Sequence, residues 1–467
     1  MVDLLHNDLK QLITAEEAYA YRIIPNGYTE ESIGFLSDTS SKEALVQELS
    51  IIYNKTIHIE LTAPDTLTEL LAKNYRKSNQ SETLDYNLNF LEKLLITAKN
   101  YGSSDIHIEP YEKYSRVRFR IDGHLIEQFK INQSQYPQIV NQVKIKAGLD
   151  ISQKRLSQDG RIAINTEGNE FDIRVSCLPT LHGEKIVMRI LKRDTSDINL
   201  EHLGFTKKEL QVYKEGIKNP NGIILISGPT GSGKTTTLYG TLKLLNEESR
   251  NITTIEDPIE YTLEGINQVQ LKEDIGFDFP SALRTFLRQD PDIIMVGEIR
   301  DEKTANMAIK AALTGHLVFS TIHTNSAWAT ISRLIDMNIP PFLIASTLKI
   351  SMAQRLVRKL CPECKKECPV SKEQFPMDFD IPKDIKHSYT AVGCQDCHFT
   401  GYSGRIAIYE ILPMNKALEQ FVQSGHYDIA PYLKEQGIPT LNENALRLLR
   451  SGLTSSEEIY SLLSHRI

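Results

Sequence analysis

No apolar run in this chain approaches the roughly 18 residues that a membrane-spanning helix needs, so a helical integral membrane protein is excluded. Basic residues are not in excess either. The chain has 53 Lys and Arg against 60 Asp and Glu, a net charge of −7, and no global positive field advertises nucleic acid as a partner. The opening Met-Val-Asp-Leu-Leu-His-Asn-Asp has no basic segment followed by an apolar one, and a secretory signal peptide is not expected. Long internal repeats and low-complexity tracts are missing as well. Cysteine is scarce at six residues, yet four of them fall in two C-x-x-C pairs. These absences lead to the expectation of a cytoplasmic protein whose membrane association, if any, runs through partners. In a reducing compartment, paired cysteines point to metal before disulfide.

What is present begins with Gly228, Pro229, Thr230, Gly231, Ser232, Gly233, Lys234 and Thr235, a complete G-x-x-x-x-G-K-[ST] phosphate loop. A short, wholly apolar run over 222–227 precedes it, as a buried parallel strand should, and 235–245 has helical spacing. Glycines allow backbone N–H groups to turn inward around phosphate oxygens at a helix N-terminus. Lys234 supplies a cation for the β- and γ-phosphates, the Thr235 hydroxyl is suited to Mg²⁺, and Thr236 completes the nucleotide-facing turn.

A length of 467 residues suggests about three domains. Residues 1–80 read as a small N-terminal α/β domain, ending in a polar linker over 74–82. Residues 83–200 open with an amphipathic helix carrying Leu88, Leu91, Leu94 and Leu95 and continue as a small α+β domain. In it 116–121 alternates charged and apolar residues before Asp122-Gly123, a tight hairpin signal. Two readings of its arginine-bearing strands stay open: a solvated face, or a surface turned toward bound phosphate. Residues 206–467 alternate apolar strands with helices, as an α/β parallel sheet does, and 413–467 reads as helical.

Three further elements supply the groups a hydrolytic phosphate loop needs. Residues 292–298 form an apolar strand ending in Glu298, the layout of a Walker B element, although the usual acid there is Asp. Residues 253–260 form a strand followed by Glu256, Asp257 and Glu260, acids whose crowding is easiest to explain beside Mg²⁺, against the alternative of a polar loop. Residues 315–324 form a strand with a histidine at each end; His323 is either structural or a sensor of the γ-phosphate. Arg284 and Arg288, one helical turn apart, are either a solvated helix face or arginine fingers.

In chain order, 228–235, 253–260, 292–298 and 315–324 resemble the Walker A, Asp box, Walker B and His box of the secretion ATPase superfamily, in the branch that powers type II secretion and type IV pilus assembly. Ser-Asp-Ile-His-Ile-Glu-Pro at 104–110, Arg-Phe-Arg-Ile-Asp-Gly at 118–123, Gln-Asp-Gly-Arg at 158–161 and Arg-Val-Ser at 174–176 are similar to that family's second N-terminal domain. Residues 18–77 are similar to its first. The resemblance implies a RecA-like P-loop ATPase domain behind a PAS-like α+β domain. It also implies that Glu260 polarises the attacking water, that Glu298 acts in Walker B, and that Arg174, Arg189, Arg284 and Arg288 contact nucleotide. The implied assembly is a homohexamer that uses ATP and Mg²⁺. It would drive a pilus or pseudopilus through an inner-membrane platform protein, with a membrane adaptor at its N-terminal domain. The competing functions are a DNA-translocating motor of similar fold, disfavoured by the net acidity, and a nucleotide-dependent scaffold, which would not need Glu260 and Glu298.

Cys361 and Cys364, then Cys394 and Cys397, form two knuckles 29 residues apart. Four thiolates in this pattern suit one tetrahedral Zn²⁺, with an insertion packed between the knuckles. Cys368 and His398 compete as ligands at a spacing that fits less well. The module, 358–412, is similar to the one in the secretion and pilus-assembly ATPases and is expected inside the ATPase domain, with zinc in a structural role.

Overall fold

The computed structural model describes residues 9, 12–29, 31–39, 41–75, 82–83, 89–166, 169–192, 198–394, 396–425 and 428–464. Leu88 and positions 76–81 of the expected linker lie outside them. Among the described residues no helix is long and apolar enough to cross a membrane. The chain forms two compact units: residues 1–190 with 359–371 and 382–404, and residues 191–358 with 372–381 and 405–467. The cysteine segments therefore group with the first unit, and the phosphate loop with the second.

In the first unit, strands β1 (Ile23–Tyr28), β2 (Ser32–Ser37) and β3 (Thr56–Leu61) form a three-stranded sheet. The helix Pro64–Asn74, started by its proline, packs Leu67 and Leu71 onto a core that includes Ile23, Ile24 and Phe35. A second sheet has β4 (Glu82–Thr83), β5 (Asp105–Pro110), β6 (Ser115–Ile121), β7 (His124–Ile131), β8 (Gln158–Thr166), β9 (Asn169–Thr180) and β10 (Gly183–Lys192), in the order β4-β7-β6-β5-β10-β9-β8. Strand β6 alternates buried and half-buried residues, as its sequence predicts. Asp122 and Gly123 both take positive φ, 48° and 88°, the two-residue turn that matches strand twist. Leu91, Leu94 and Leu95 of the helix Phe90–Asn100 cover one face.

The second unit is built on β11 (Gly222–Ser227), β12 (Ile252–Glu256), β13 (Asn267–Gln270), β14 (Ile293–Val296), β15 (Leu317–Ile322) and β16 (Leu348–Leu360). Strands β17 (Lys366–Pro369) and β18 (His387–Thr390), which group with the first unit, form a hairpin between the cysteine knuckles, and β19 (Tyr402–Pro413) closes the main sheet, ordered β13-β12-β14-β15-β11-β16-β19. Every registered pair among β11 to β16 is parallel. Strand β11 is buried along its whole length because helices cover both faces of the sheet. Ile223 and Leu225 pack into one layer with Leu283 and Ala308, while Ile224 and Ile226 pack into the other with Leu238 and Tyr213. The chain after Pro413 is helical: Lys416–Ser424, Ala430–Gln436, Leu441–Arg450 and Ser456–Leu463.

Candidate functional site

Parallel strands send their C-terminal ends, and the loops that follow, to one edge of a sheet. All four sequence elements emerge at that edge. The phosphate loop follows β11, the acidic turn follows β12, Glu298 follows β14, and His323 follows β15.

In the loop, Gly231 and Gly233 have φ of 80° and 86°, left-handed values that glycine adopts without strain. A Cβ at Gly233 would lie 2.8 Å from Gln354 Nε2, and one at Gly228 would lie 2.5 Å from the Gln354 carbonyl. Pro229, Thr230 and Gly231 form an exposed rim; Ser232 is buried beneath it, with no hydrogen-bond partner for its hydroxyl. Lys234 opens the helix Lys234–Leu245 and is buried. Its Nζ donates to the carbonyls of Gly228 and Pro229 at 2.8 and 3.0 Å. Burial pulls its pKa down to about 8, against the attraction of Glu298 and with the repulsion of Arg355. Thr235 is exposed on the first turn and Thr236 half-buried beside it. The glycine cradle, the unpartnered Ser232 hydroxyl and the buried cation fit the phosphate groups of a nucleotide.

Glu298 lies two residues past β14. It pairs with Arg300 through one oxygen, and its other oxygen is 3.5 Å from His323 Nε2. The acid after β14 and the histidine after β15 are thus brought together. The other histidine of that strand, His316, contacts the Ala311 carbonyl through Nδ1 at 2.9 Å, a contact at the end of the helix Glu302–Leu313.

The three acids of this turn stand in different surroundings. Glu256 is 3% exposed and accepts from the Tyr239 hydroxyl, from Thr254 Oγ1 at 2.5 Å and from Gln268 Nε2 at 3.0 Å. Its oxygens are met by donors from Tyr239, Thr254 and Gln268, which hold it inside the fold. Asp257 is exposed and Glu260 half-buried beyond it. Arg284 and Arg288 are exposed, but the helix Phe279–Phe286 ends before Arg288, whose Nη1 donates back to the Arg284 carbonyl at 3.0 Å.

Sequence reasoning passed over Gln354 and Arg355. Strand β16 runs parallel to β11 with Ala353 opposite Ser227, so the next two residues arrive behind the phosphate loop. Gln354 Oε1 accepts from Thr237 at 2.9 Å; Arg355 donates to the Gln354 and Asn325 carbonyls at 2.9 and 3.0 Å. The available signal was a Gln-Arg pair directly after the apolar Met352-Ala353 of that strand.

In the first unit, the sulfurs of Cys361, Cys364, Cys394 and Cys397 all lie within 4.8 Å of one another. The 361–394, 364–397 and 394–397 pairs are 3.8 Å apart. That is far longer than a disulfide. It equals the edge of a tetrahedron with metal–sulfur bonds of about 2.3 Å, which is about 3.8 Å. Backbone N–H groups of Cys394 and Gly401 donate to Cys397 Sγ at 3.2 Å, and that of Gly393 to Cys364 Sγ at 3.3 Å, contacts that favour thiolate. The donor set fits zinc. Cys368 lies instead on the β17–β18 hairpin, 3.2 Å from Ser388 Oγ, and His398 stacks on Tyr101 with centroids 4.0 Å apart.

Several arginines of the first unit's seven-stranded sheet are ion-paired. Arg118 grips Glu109 with two bonds of 2.8 Å; Arg116 and Lys185 reach the same carboxylate at 3.0 and 2.9 Å. Arg189 donates to Asp105 at 2.9 Å, and Arg174 stands on β9 opposite Arg161 of β8.

The sequence model of the family described as Type II/IV secretion system protein matches residues 80–461. The Type IV pilus assembly ATPase PilB of Myxococcus xanthus is 49% identical over 374 residues, 78% of this chain and 66% of that protein; the match spans just under two thirds of that relative. The Type II secretion system ATPase E of Vibrio cholerae is 40% identical over 464 residues, 92% of each chain. Among solved structures, the pilus retraction motor PilT with bound ADP superposes with a TM-score of 0.54 at 25% identity, covering 81% of this chain and 97% of that one. The Legionella pneumophila ATPase DotB superposes with a TM-score of 0.61 at 21% identity over 82% and 97%, a likeness of fold alone.

Proposed function

This chain belongs to the Type II/IV secretion system protein family, and on that premise we propose that it is an ATP hydrolase that powers assembly of a type II secretion pseudopilus or a type IV pilus. One observation carries the reading: the phosphate loop and the Glu298–His323 pair leave the same sheet edge, from β11 and from the neighbouring strands β14 and β15. Its architecture is then a RecA-like ATPase domain, a PAS-like second domain and a small N-terminal domain that docks to a partner.

In this reading the loop N–H groups and Lys234 bind the triphosphate. A buried ammonium is costly, and an incoming anion relieves that cost when Nζ exchanges a carbonyl for a phosphate oxygen. Thr235 would hold Mg²⁺, which neutralises phosphate charge. Glu260 polarises the attacking water. Glu298, oriented by Arg300, acts as the Walker B acid, with His323 beside it as γ-phosphate sensor. Arg284, Arg288, Arg174 and Arg189 supply positive charge as phosphate charge develops. The four cysteines would hold Zn²⁺ as a structural ion, since all four ligands come from the protein. The working assembly is a cytoplasmic homohexamer, attached peripherally to the inner membrane through a platform protein and a membrane adaptor.

The test is a paired binding and turnover measurement. Lys234→Ala should abolish ATP binding. Glu298→Gln should keep binding and lose turnover by about a hundredfold or more. Turnover at the wild-type rate in Glu298→Gln would remove Glu298 from the reaction.

A further inference from the structure

Tyr239 lies five residues after Lys234 in the same helix and is completely buried, yet its hydroxyl is engaged on two sides. It donates to Glu256, and it accepts the backbone N–H of Glu260 at 3.3 Å, with the N–H of Tyr261 facing the same oxygen. Its ring meets that of Tyr261 edge-on, centroids 5.9 Å apart. From Glu256 the network continues to Gln268, which donates to the Tyr261 carbonyl at 2.9 Å and accepts from the Leu263 N–H at 2.6 Å. Residues 260–263 are therefore fastened to the end of β12 and to the phosphate-loop helix by three side chains.

A buried carboxylate needs this many donors simply to exist, so the network has a structural role in any case. The informative part is its terminus. It ends on the main chain of Glu260, the acid assigned to the attacking water. A catalytic group displaced by about 1 Å loses on the order of a hundredfold in rate, so what fixes that backbone controls the rate. The same helix carries Lys234 on its first turn, and one rigid element thus spaces the phosphate-binding cation from the acidic turn.

We propose that Tyr239 is a positioning residue for ATP hydrolysis: its hydroxyl, locked by Glu256, holds the backbone at Glu260 and keeps that acid in register with the phosphate loop. The inference rests on the reading of Glu260 as the acid that polarises water.

The test uses the full chain with MgATP. Tyr239→Phe keeps the ring and removes only the hydroxyl. Its kcat should fall about tenfold to a hundredfold, while KM for ATP and binding of a fluorescent ADP analogue stay within about twofold. In a Glu260→Gln background the same substitution should cost nothing further, because residues acting through one another are not additive. A structural role alone would lower kcat by equal factors in both backgrounds, or lower stability alone, and either outcome overturns the proposal. Wild-type kcat in Tyr239→Phe beside an inactive Glu260→Gln overturns it too, and leaves the ATPase reading standing. Wild-type turnover in Glu260→Gln removes the Glu260 assignment itself. Should Tyr239→Phe fail to fold, Thr254→Val strips a different donor from Glu256 with little change of shape. A loss of about threefold to tenfold, absent in the Glu260→Gln background, is then expected, and an unchanged kcat refutes the proposal.

Discussion

Replacing Glu109 by Gln should loosen the second sheet of the first unit by a pH-dependent amount. Glu109 is 3% exposed on β5 and receives Arg118, Arg116 and Lys185. Burial by itself would raise its pKa; the hydrogen bonds from these three cations outweigh burial and bring it from 4.5 to about 2. Because the folded value lies below the unfolded one, the stabilisation is full above about pH 4.5 and drains away as the pH falls toward 2. A gap of about 2.5 units is worth on the order of 3 kcal/mol at pH 7 and roughly half of that at pH 3. Gln keeps the shape and removes the charge, so the variant forfeits this increment. A chain with two compact units does not unfold in one step, and the readout must be local: hydrogen exchange of amides in 105–121. Protection should drop about a hundredfold at pH 7 and about tenfold at pH 3, after correction for intrinsic rates. A drop under about threefold at pH 7, or one undiminished at pH 3, would refute the reasoning.

Freshly purified protein should carry about one zinc per chain by elemental analysis, and Cys368→Ser should leave that content unchanged; metal-free protein would reject the four-cysteine site. Removing residues 1–80 should leave ATP turnover within about a few-fold, whereas removing 1–200 should nearly eliminate it; equal activity in both truncations would reduce the second domain to a spacer.

Much of the fold was readable because its signals are local. The glycines at 231 and 233 were expected from the loop motif and take the left-handed backbone it needs. Asp122-Gly123 specified its turn through positive φ at both positions. The cysteine pairs specified their cluster because each C-x-x-C fixes two sulfurs at short range. What was unreadable depends on pairing between distant segments. Nothing near Glu256 in sequence indicates that Tyr239, seventeen residues earlier, takes one of its oxygens, so the acid was grouped with Asp257 and Glu260 by proximity alone. Gln354 is 117 residues from the Thr237 it receives, and only the parallel register of β16 with β11 brings them together. Arg288 was placed on a helix because its spacing from Arg284 is helical; the chain leaves the helix at Leu287, and Asp290 already has a positive φ of 49°.

The arginine strand is the instructive middle case, since alternation alone left two readings open. The register resolves how the charges are arranged: Arg120 of β6 stands opposite Asp105 of β5, and Arg116 opposite Glu109. Arg189 of β10 stands opposite Asp105 from the other side. The guanidinium groups are therefore held by cross-strand acids, not left as free solvated chains. Among the described residues, Arg116, Arg118, Arg120, Lys185 and Arg189 share Asp105, Glu109 and Glu127. Arg189 remains 58% exposed despite its bond to Asp105. An arginine with one edge fixed by a carboxylate has already lost much of its rotamer freedom. Ion pairing with an acid does not exclude the phosphate contact proposed for this face. The acids that pair with the arginines are what would make them rigid enough to meet a phosphate at low entropic cost.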